Sequence, residues 1–210
     1  MEFRDFKNFH EMLTETVDRR GNNTAYRWFV EAGQTDSVTW TEYFKQVKQV
    51  AKSLIALGVK KDDKVSILSY SSYRWVLSDM AMMSIGAVTV GIYQSLLSDD
   101  CKYIINHSDA VLVFAEDDIQ LQKLFQIRKE LPEVRKVVLF NGTCPEDEWV
   151  LSFEEFLGLG KDVPDKDFEK RVEAVTSQDA AAIVYTSGTT GVPKGAVLTH
   201  DNITFTAQSV

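Results

Sequence analysis

The chain holds only two cysteines in 210 residues, Cys101 and Cys144, far apart and without metal-ligand or redox-motif spacing. That excludes a disulfide framework and a structural zinc site, and a reducing cytoplasmic setting is expected. An excess of positive charge is missing too. With 23 Lys and Arg against 31 Asp and Glu, the net charge is −8, which argues against a general grip on nucleic acid or on anionic membrane. A small local basic site is still compatible with this balance. No long hydrophobic run is present either. The longest, Met80 to Tyr93, is interrupted by Ser84 and Thr89 and falls short of the roughly 20 residues that a membrane-spanning helix needs. Peripheral membrane contact stays open. The N-terminal "MEFRDFKNFHEM" mixes acids and bases and lacks the apolar stretch of a secretory signal. No internal repeat or low-complexity segment stands out.

A hydrophobic content of 44% is enough for one substantial core, and its pattern alternates between two periods. In "TWTEYFKQVKQVAKSLIALGV" the residues Tyr43, Val47, Val50, Leu54 and Leu57 recur at helical spacing, with Thr39 and Glu42 as a capping box and Gly58 as the stop. "KVSILSY" then reads as a buried strand, followed by a helix capped by Ser71 or Ser72 and running through Met83. "AVTVGIY", "AVLVFA" and "KVVLF" read as further strands, separated by a helix from Ser98, as its cap, to His107 and another from Ile119 to Leu131. Repeated strand–helix alternation predicts an α/β fold with a mainly parallel, helix-covered sheet. Residues 1–160 are expected as one subdomain, 161–175 as a charged linker, and 176–210 as the start of a second subdomain.

Near the end stands "AAIVYTSGTTGVPKGAVLTHDN", four hydroxyl residues, three glycines and a lysine between apolar runs. It is not a Walker A loop, because Pro193 stands where the second glycine belongs and Lys194 precedes Gly195 rather than Ser or Thr. The glycines at 188, 191 and 195 do not fit the dinucleotide fingerprint either. "GAVLTH" after the loop reads as a strand, so the loop is expected to cap a hairpin before a helix begun by Thr199 or Asp201. Glycines bring backbone N–H groups close to an anion, hydroxyls add donors and Lys194 adds charge, an inventory suited to polyphosphate. Composition alone leaves a plain flexible hairpin equally open.

The string "YTSGTTGVPKG" resembles the phosphate-loop signature of the AMP-forming acyl-adenylating enzymes, at every position from Thr186 to Gly195. The upstream "KVSILSYSSYRWVLSDMAMMSIGAVTVGIYQSLLSDDCKYIINHSDAVLVFAE" is similar to the corresponding region of that superfamily's long-chain fatty acyl-CoA synthetases. The resemblance runs from about Trp28 to the last residue. It implies that ATP and a fatty acid form acyl-AMP and pyrophosphate, and that the acyl group then passes to coenzyme A. It also implies that Thr186, Ser187, Gly188, Thr189, Thr190, Gly191 and Lys194 hold the β- and γ-phosphates. Thr186 would reach Mg²⁺, and Lys194 and Thr186 would act in catalysis, where oriented charge supplies most of the help. The family's later signatures for adenine and ribose, and its mobile C-terminal domain, have no counterpart here. The chain is therefore expected to be the N-terminal third of an enzyme and inactive alone. A fatty acyl-AMP ligase that loads a carrier protein, and a non-catalytic nucleotide-binding module, are the alternatives.

Other chemistry-bearing residues read as structural. His200 suits a polar helix start, and His107 and His10 carry weaker signals still. Met80, Met82 and Met83 belong to the core, and Glu116 to Asp118 favour the N-terminus of the helix that follows.

Overall fold

The computed structural model describes residues 4–31, 33–186 and 192–209. Helix α1 (Phe9–Arg20) starts at Asn8, whose side chain accepts from the Glu11 N–H. A two-stranded antiparallel ribbon follows, β1 (Thr24–Glu31) with β2 (Gln34–Thr39). The Thr39/Glu42 capping box opens α2 (Trp40–Ala56), and Tyr43, Val47, Val50 and Leu54 are fully buried along its inner face. Gly58 takes a φ of +75° directly after the helix, a conformation that strains any residue with a side chain.

Then come β3 (Lys64–Leu68), α3 (Tyr73–Ser84), β4 (Val88–Ile92), α4 (Ser98–His107), β5 (Ala110–Ala115), α5 (Asp118–Ile127) and β6 (Lys136–Leu139). Ser72 caps α3, and Asp117, in the acidic run, caps α5 by accepting from the Gln120 N–H. Ser98 is not the cap of α4. Leu97 holds that position without a side-chain bond, while the Ser98 hydroxyl donates to Gln126 Oε1 at 2.6 Å, so a partner on α5 has drawn it off its own backbone. The short β7 (Val150–Ser152) leads through a Ser152/Glu155 capping box into α6 (Phe153–Leu159).

Residues 161–175 carry α7 (Asp165–Glu173), which buries Phe168 beneath the Lys48 ammonium and pairs Asp165 with Lys48 and Lys52. Phe168 is the buried anchor of this otherwise polar segment, and Val172, one turn on, packs partly buried against the same core. The chain finishes with β8 (Ala180–Thr186), β9 (Lys194–Thr199) and α8 (His200–Gln208), the last capped by Thr199.

Seven strands form one sheet in the order β7-β6-β5-β3-β4-β8-β9, parallel except where β9 turns back on β8. Side chains alternate between its faces, as the two-residue period of a strand requires. Val65, Ile67, Phe114 and Val138 face one layer with α2 and α3, whereas Leu68, Val113 and Val137 face the other with α4 and α5. Burial on both faces explains why β3 and β5 read as near-continuous apolar runs.

Strand β3 sends the chain into α3 on one face, and β4 sends it into α4 on the other. The carboxyl ends of β3 and β4 thus flank a topological switch point, the place where open α/β sheets hold ligands.

Candidate active site

A cavity of about 650 Å³ opens at that switch point. Ser69 to Ser71 after β3, Gly91 to Gln94 at the end of β4, and Ala182 to Tyr185 of β8 form its walls, closed by Trp75, Asp79 and Met83 of α3 with Phe9 and Ile203. Tyr70 and Tyr93, both largely exposed, stand among these lining residues. Size, concavity and a mostly apolar lining suit a small-molecule ligand with one end buried in hydrocarbon.

Asp79 is the carboxylic acid in this lining. Burial among apolar neighbours pushes its carboxyl up to about 6, and the nearby Thr89 hydroxyl, itself buried and without a partner of hydrogen-bonding geometry, opposes this to a lesser degree. The lone acid inside "YRWVLSDMAMMS" was its signal in the sequence.

The β8 wall of the cavity ends at Tyr185, one residue before Thr186. Thr186 pairs directly with Lys194 across the β8–β9 ladder, and both are exposed. Directly opposed residues of an antiparallel pair place their Cβ atoms about 5 Å apart on one face. The two side chains therefore leave the ladder side by side, on one face at the mouth of the hairpin. Ser187, Gly188, Thr189, Thr190 and Gly191 lie outside the described residues.

Gly195 has a separate reason for being glycine. A Cβ there would stand 2.7 Å from Ile183 Cγ2 and 3.2 Å from the Tyr185 ring, closer than packed atoms tolerate. The last glycine of the string makes room for Ile183 and Tyr185.

His200 takes the first position of α8 but is fully buried, and burial lowers its pKa to about 4. Its Nδ1 accepts from the Phe9 N–H at 3.2 Å, which leaves the proton on Nε2, buried without a hydrogen-bond partner among the described residues. His10, lowered to about 4 by burial, uses the opposite tautomer. The Ser84 hydroxyl donates to the Met80 carbonyl, so the proton of the 2.8 Å contact between His10 Nδ1 and Ser84 Oγ comes from the imidazole. Both rings are neutral struts that fasten α1, and neither faces the hairpin mouth. Met80, Met82 and Met83 are buried in the core, as expected, Met83 also touching the cavity.

Among the described residues no group of three or more His, Cys, Asp or Glu could hold a metal ion, and no helix is long and apolar enough to cross a membrane.

The family model described as "AMP-binding enzyme" matches residues 13–210. The long-chain-fatty-acid–CoA ligase ACSBG2 of Xenopus laevis is 32% identical over 199 residues, 94% of this chain and 27% of that protein. Its human counterpart is 31% identical over 95% of this chain and 30% of that protein. The chain thus spans less than a third of the length of these curated relatives. The crystal structure of the anthranilate CoA ligase AuaEII in complex with anthranoyl-AMP superposes on 99% of this chain and 38% of its own, with a TM-score of 0.81 and 26% identity. A putative long-chain-fatty-acid CoA ligase from Rhodopseudomonas palustris shares the fold, with a TM-score of 0.77 at 20% identity.

Proposed function

We propose that this chain, which belongs to the AMP-binding enzyme family, is the part of an AMP-forming ligase that holds the phosphates of ATP while a fatty acid carboxylate attacks the α-phosphate. The acyl-adenylate then passes to coenzyme A. The observation that carries this reading is the pairing of Thr186 with Lys194 at the hairpin mouth, next to an apolar cavity at the switch point of the sheet. The names of the curated relatives, long-chain-fatty-acid–CoA ligases, supply the acid class.

In the transferring state negative charge gathers on the departing pyrophosphate, and fixed donors that meet it there lower the barrier. Lys194 supplies the charge, and Ser187, Gly188, Thr189, Thr190 and Gly191 complete the cradle with hydroxyl and backbone N–H groups. The exposed Thr186 hydroxyl is a hard oxygen donor of the kind Mg²⁺ accepts, the remaining ligands of such a site being substrate phosphates and water. When bound, the ion neutralises phosphate charge. The start of a second subdomain near residue 176, after a segment 161–175 that joins it to the first, is part of the same reading. So is a cytoplasmic setting, in keeping with the two free thiols, Cys101 buried and Cys144 partly buried.

The test is acid-dependent exchange of labelled pyrophosphate into ATP by the complete reading frame that contains this chain, with palmitate, octanoate, benzoate and acetate in parallel. Exchange with palmitate is expected, together with palmitoyl-CoA once coenzyme A is added. A folded protein that exchanges with none of the four acids would overturn the reading, and an adenylate delivered only to a carrier protein would correct the acceptor.

A further inference from the structure

Helix α4 faces the hairpin from the side of the sheet opposite α3, and two of its residues, one turn apart, reach across. The Tyr103 hydroxyl donates to the Pro193 carbonyl at 3.0 Å. His107 Nδ1 meets the Tyr185 hydroxyl at 2.7 Å, with the two rings edge to face at 5.7 Å between centroids. The Tyr103 and His107 rings also lie against each other, 5.2 Å apart. Tyr185 immediately precedes Thr186, and Pro193 immediately precedes Lys194. One helix face therefore grips the stems on which the paired Thr186 and Lys194 are mounted, and Gly195 keeps open the slot through which Tyr185 reaches His107.

We propose that Tyr103 and His107 are positioning residues that fix the two stems of the hairpin, at Tyr185 and at Pro193, and so set where the Thr186 hydroxyl and the Lys194 ammonium stand relative to the phosphates. This rests on the reading of the loop as a phosphate cradle. The physical reason is that a preformed electrostatic site works by not having to rearrange, and a displacement of about 1 Å costs on the order of 100-fold in rate. Two short bonds at the stems restrain the hairpin without occupying the space a ligand takes. Cross-strand pairing alone leaves the hairpin free to tilt as a unit against β4, to which it is tied by only a brief parallel ladder, Thr89 with Ala182 and Val90 with Ile183.

The experiment compares Tyr103→Phe, His107→Ala, His107→Gln and the double variant Tyr103→Phe/His107→Ala with wild type in the complete protein, below the melting temperature of each. Loss of one neutral hydrogen bond predicts about a tenfold change for Tyr103→Phe and for His107→Ala. It should show as a raised KM for ATP and slower pyrophosphate exchange, while thioester formation from supplied acyl-adenylate is unchanged. His107→Gln, which can still bond to the Tyr185 hydroxyl, should recover most of the loss. A merely structural role would instead slow both half-reactions equally, and that result, or wild-type ATP dependence in both Tyr103→Phe and His107→Ala, would overturn the proposal. If the wild-type protein exchanges no pyrophosphate, the proposed function fails, and ATP affinity by calorimetry then decides the positioning role. Tenfold weaker binding by Tyr103→Phe supports it, and equal binding, or no binding by wild type, defeats it.

Discussion

The centre of the sheet and its β9 edge use similar residues to opposite ends. In β3 every residue from Val65 to Leu68 is buried between two layers of helices, whereas β8 and β9 leave Val184 and Val197 exposed at 43% and 57%. At the centre, apolar side chains are spent on stability. At the edge the same residue types hold a ladder together, and the consequential groups are a hydroxyl, an ammonium and a glycine. Packing fixes the frame, and hydrogen bonds at the stems aim the edge.

Truncation at the centre should have the largest effect. Phe114 is fully buried and packs on Phe140 and Phe156 at ring-centroid distances of 5.2 and 5.5 Å. Phe114→Ala is expected to cost about 3–5 kcal/mol in urea unfolding, while Val197→Ala should stay within about 0.5 kcal/mol. Equal losses would erase the contrast between the two regions.

Acid should loosen α1, which bridges them. His10 and His200, lowered to about 4 in the fold, are neutral in both folded and unfolded chains above pH 6.5. Between pH 6.5 and 4 the unfolded chain takes up protons that the folded one refuses, so stability falls by up to about 3 kcal/mol per histidine. Asp79 runs the other way. Its carboxyl, raised to about 6, gains a proton in the fold before the unfolded chain does, and this returns up to about 3 kcal/mol as pH drops toward 4. The net expectation is a loss of about 3 kcal/mol between neutral pH and pH 4, read from denaturant midpoints. A rise of about 3 kcal/mol instead, the Asp79 contribution alone, would mean that both imidazoles remain solvated.

Lys194→Ala should leave stability almost untouched, since the side chain is exposed. In the complete protein it should slow adenylation by about 100-fold. Equal slowing of thioester formation would count against a charge directed at departing phosphate. Gly195→Ala is expected to cost about 1–3 kcal/mol, because its new methyl displaces Ile183 and Tyr185. A fully stable Gly195→Ala protein would show that the edge is looser than its geometry states.

Much of the frame could be read from sequence because it obeys simple periods. The α2 stripe, its Thr39/Glu42 box and the doubly covered β3, β4 and β5 runs each state their environment locally. The ribbon β1–β2 does not. Its "QTDSVT" strand is polar and almost wholly exposed, and pairing with β1 makes it a strand. Helix α1 buries only His10 and Leu13 on its own account, and contacts from α3 and α8 hold it down. Only the apolar side of α7, essentially Phe168, marks that polar segment as something that docks.

At the candidate site, Thr186 and Lys194 could be found through an unusual string. The bonds from Tyr103 to Pro193 and from His107 to Tyr185 join positions 90 and 78 residues apart, and no local period records such a contact. Asp79 left only a faint mark in the sequence, one carboxyl in a largely apolar helix, and was not among the expected site residues. That it faces a cavity follows only from the fold.

The β4–β8 ladder also bears on how the molecule assembles. The units β3–α3–β4 and β5–α5–β6 close short loops, and such local contacts form early. Strand β8 pairs with β4 only after α4, β5, α5, β6, β7, α6 and α7 have intervened in the chain, and the entropy of closing that long loop is recovered only once β4 offers a finished edge. The hairpin that carries Thr186 and Lys194 is therefore expected to dock onto an existing sheet, so that these two residues come together on a nascent chain only after the scaffold behind them has formed.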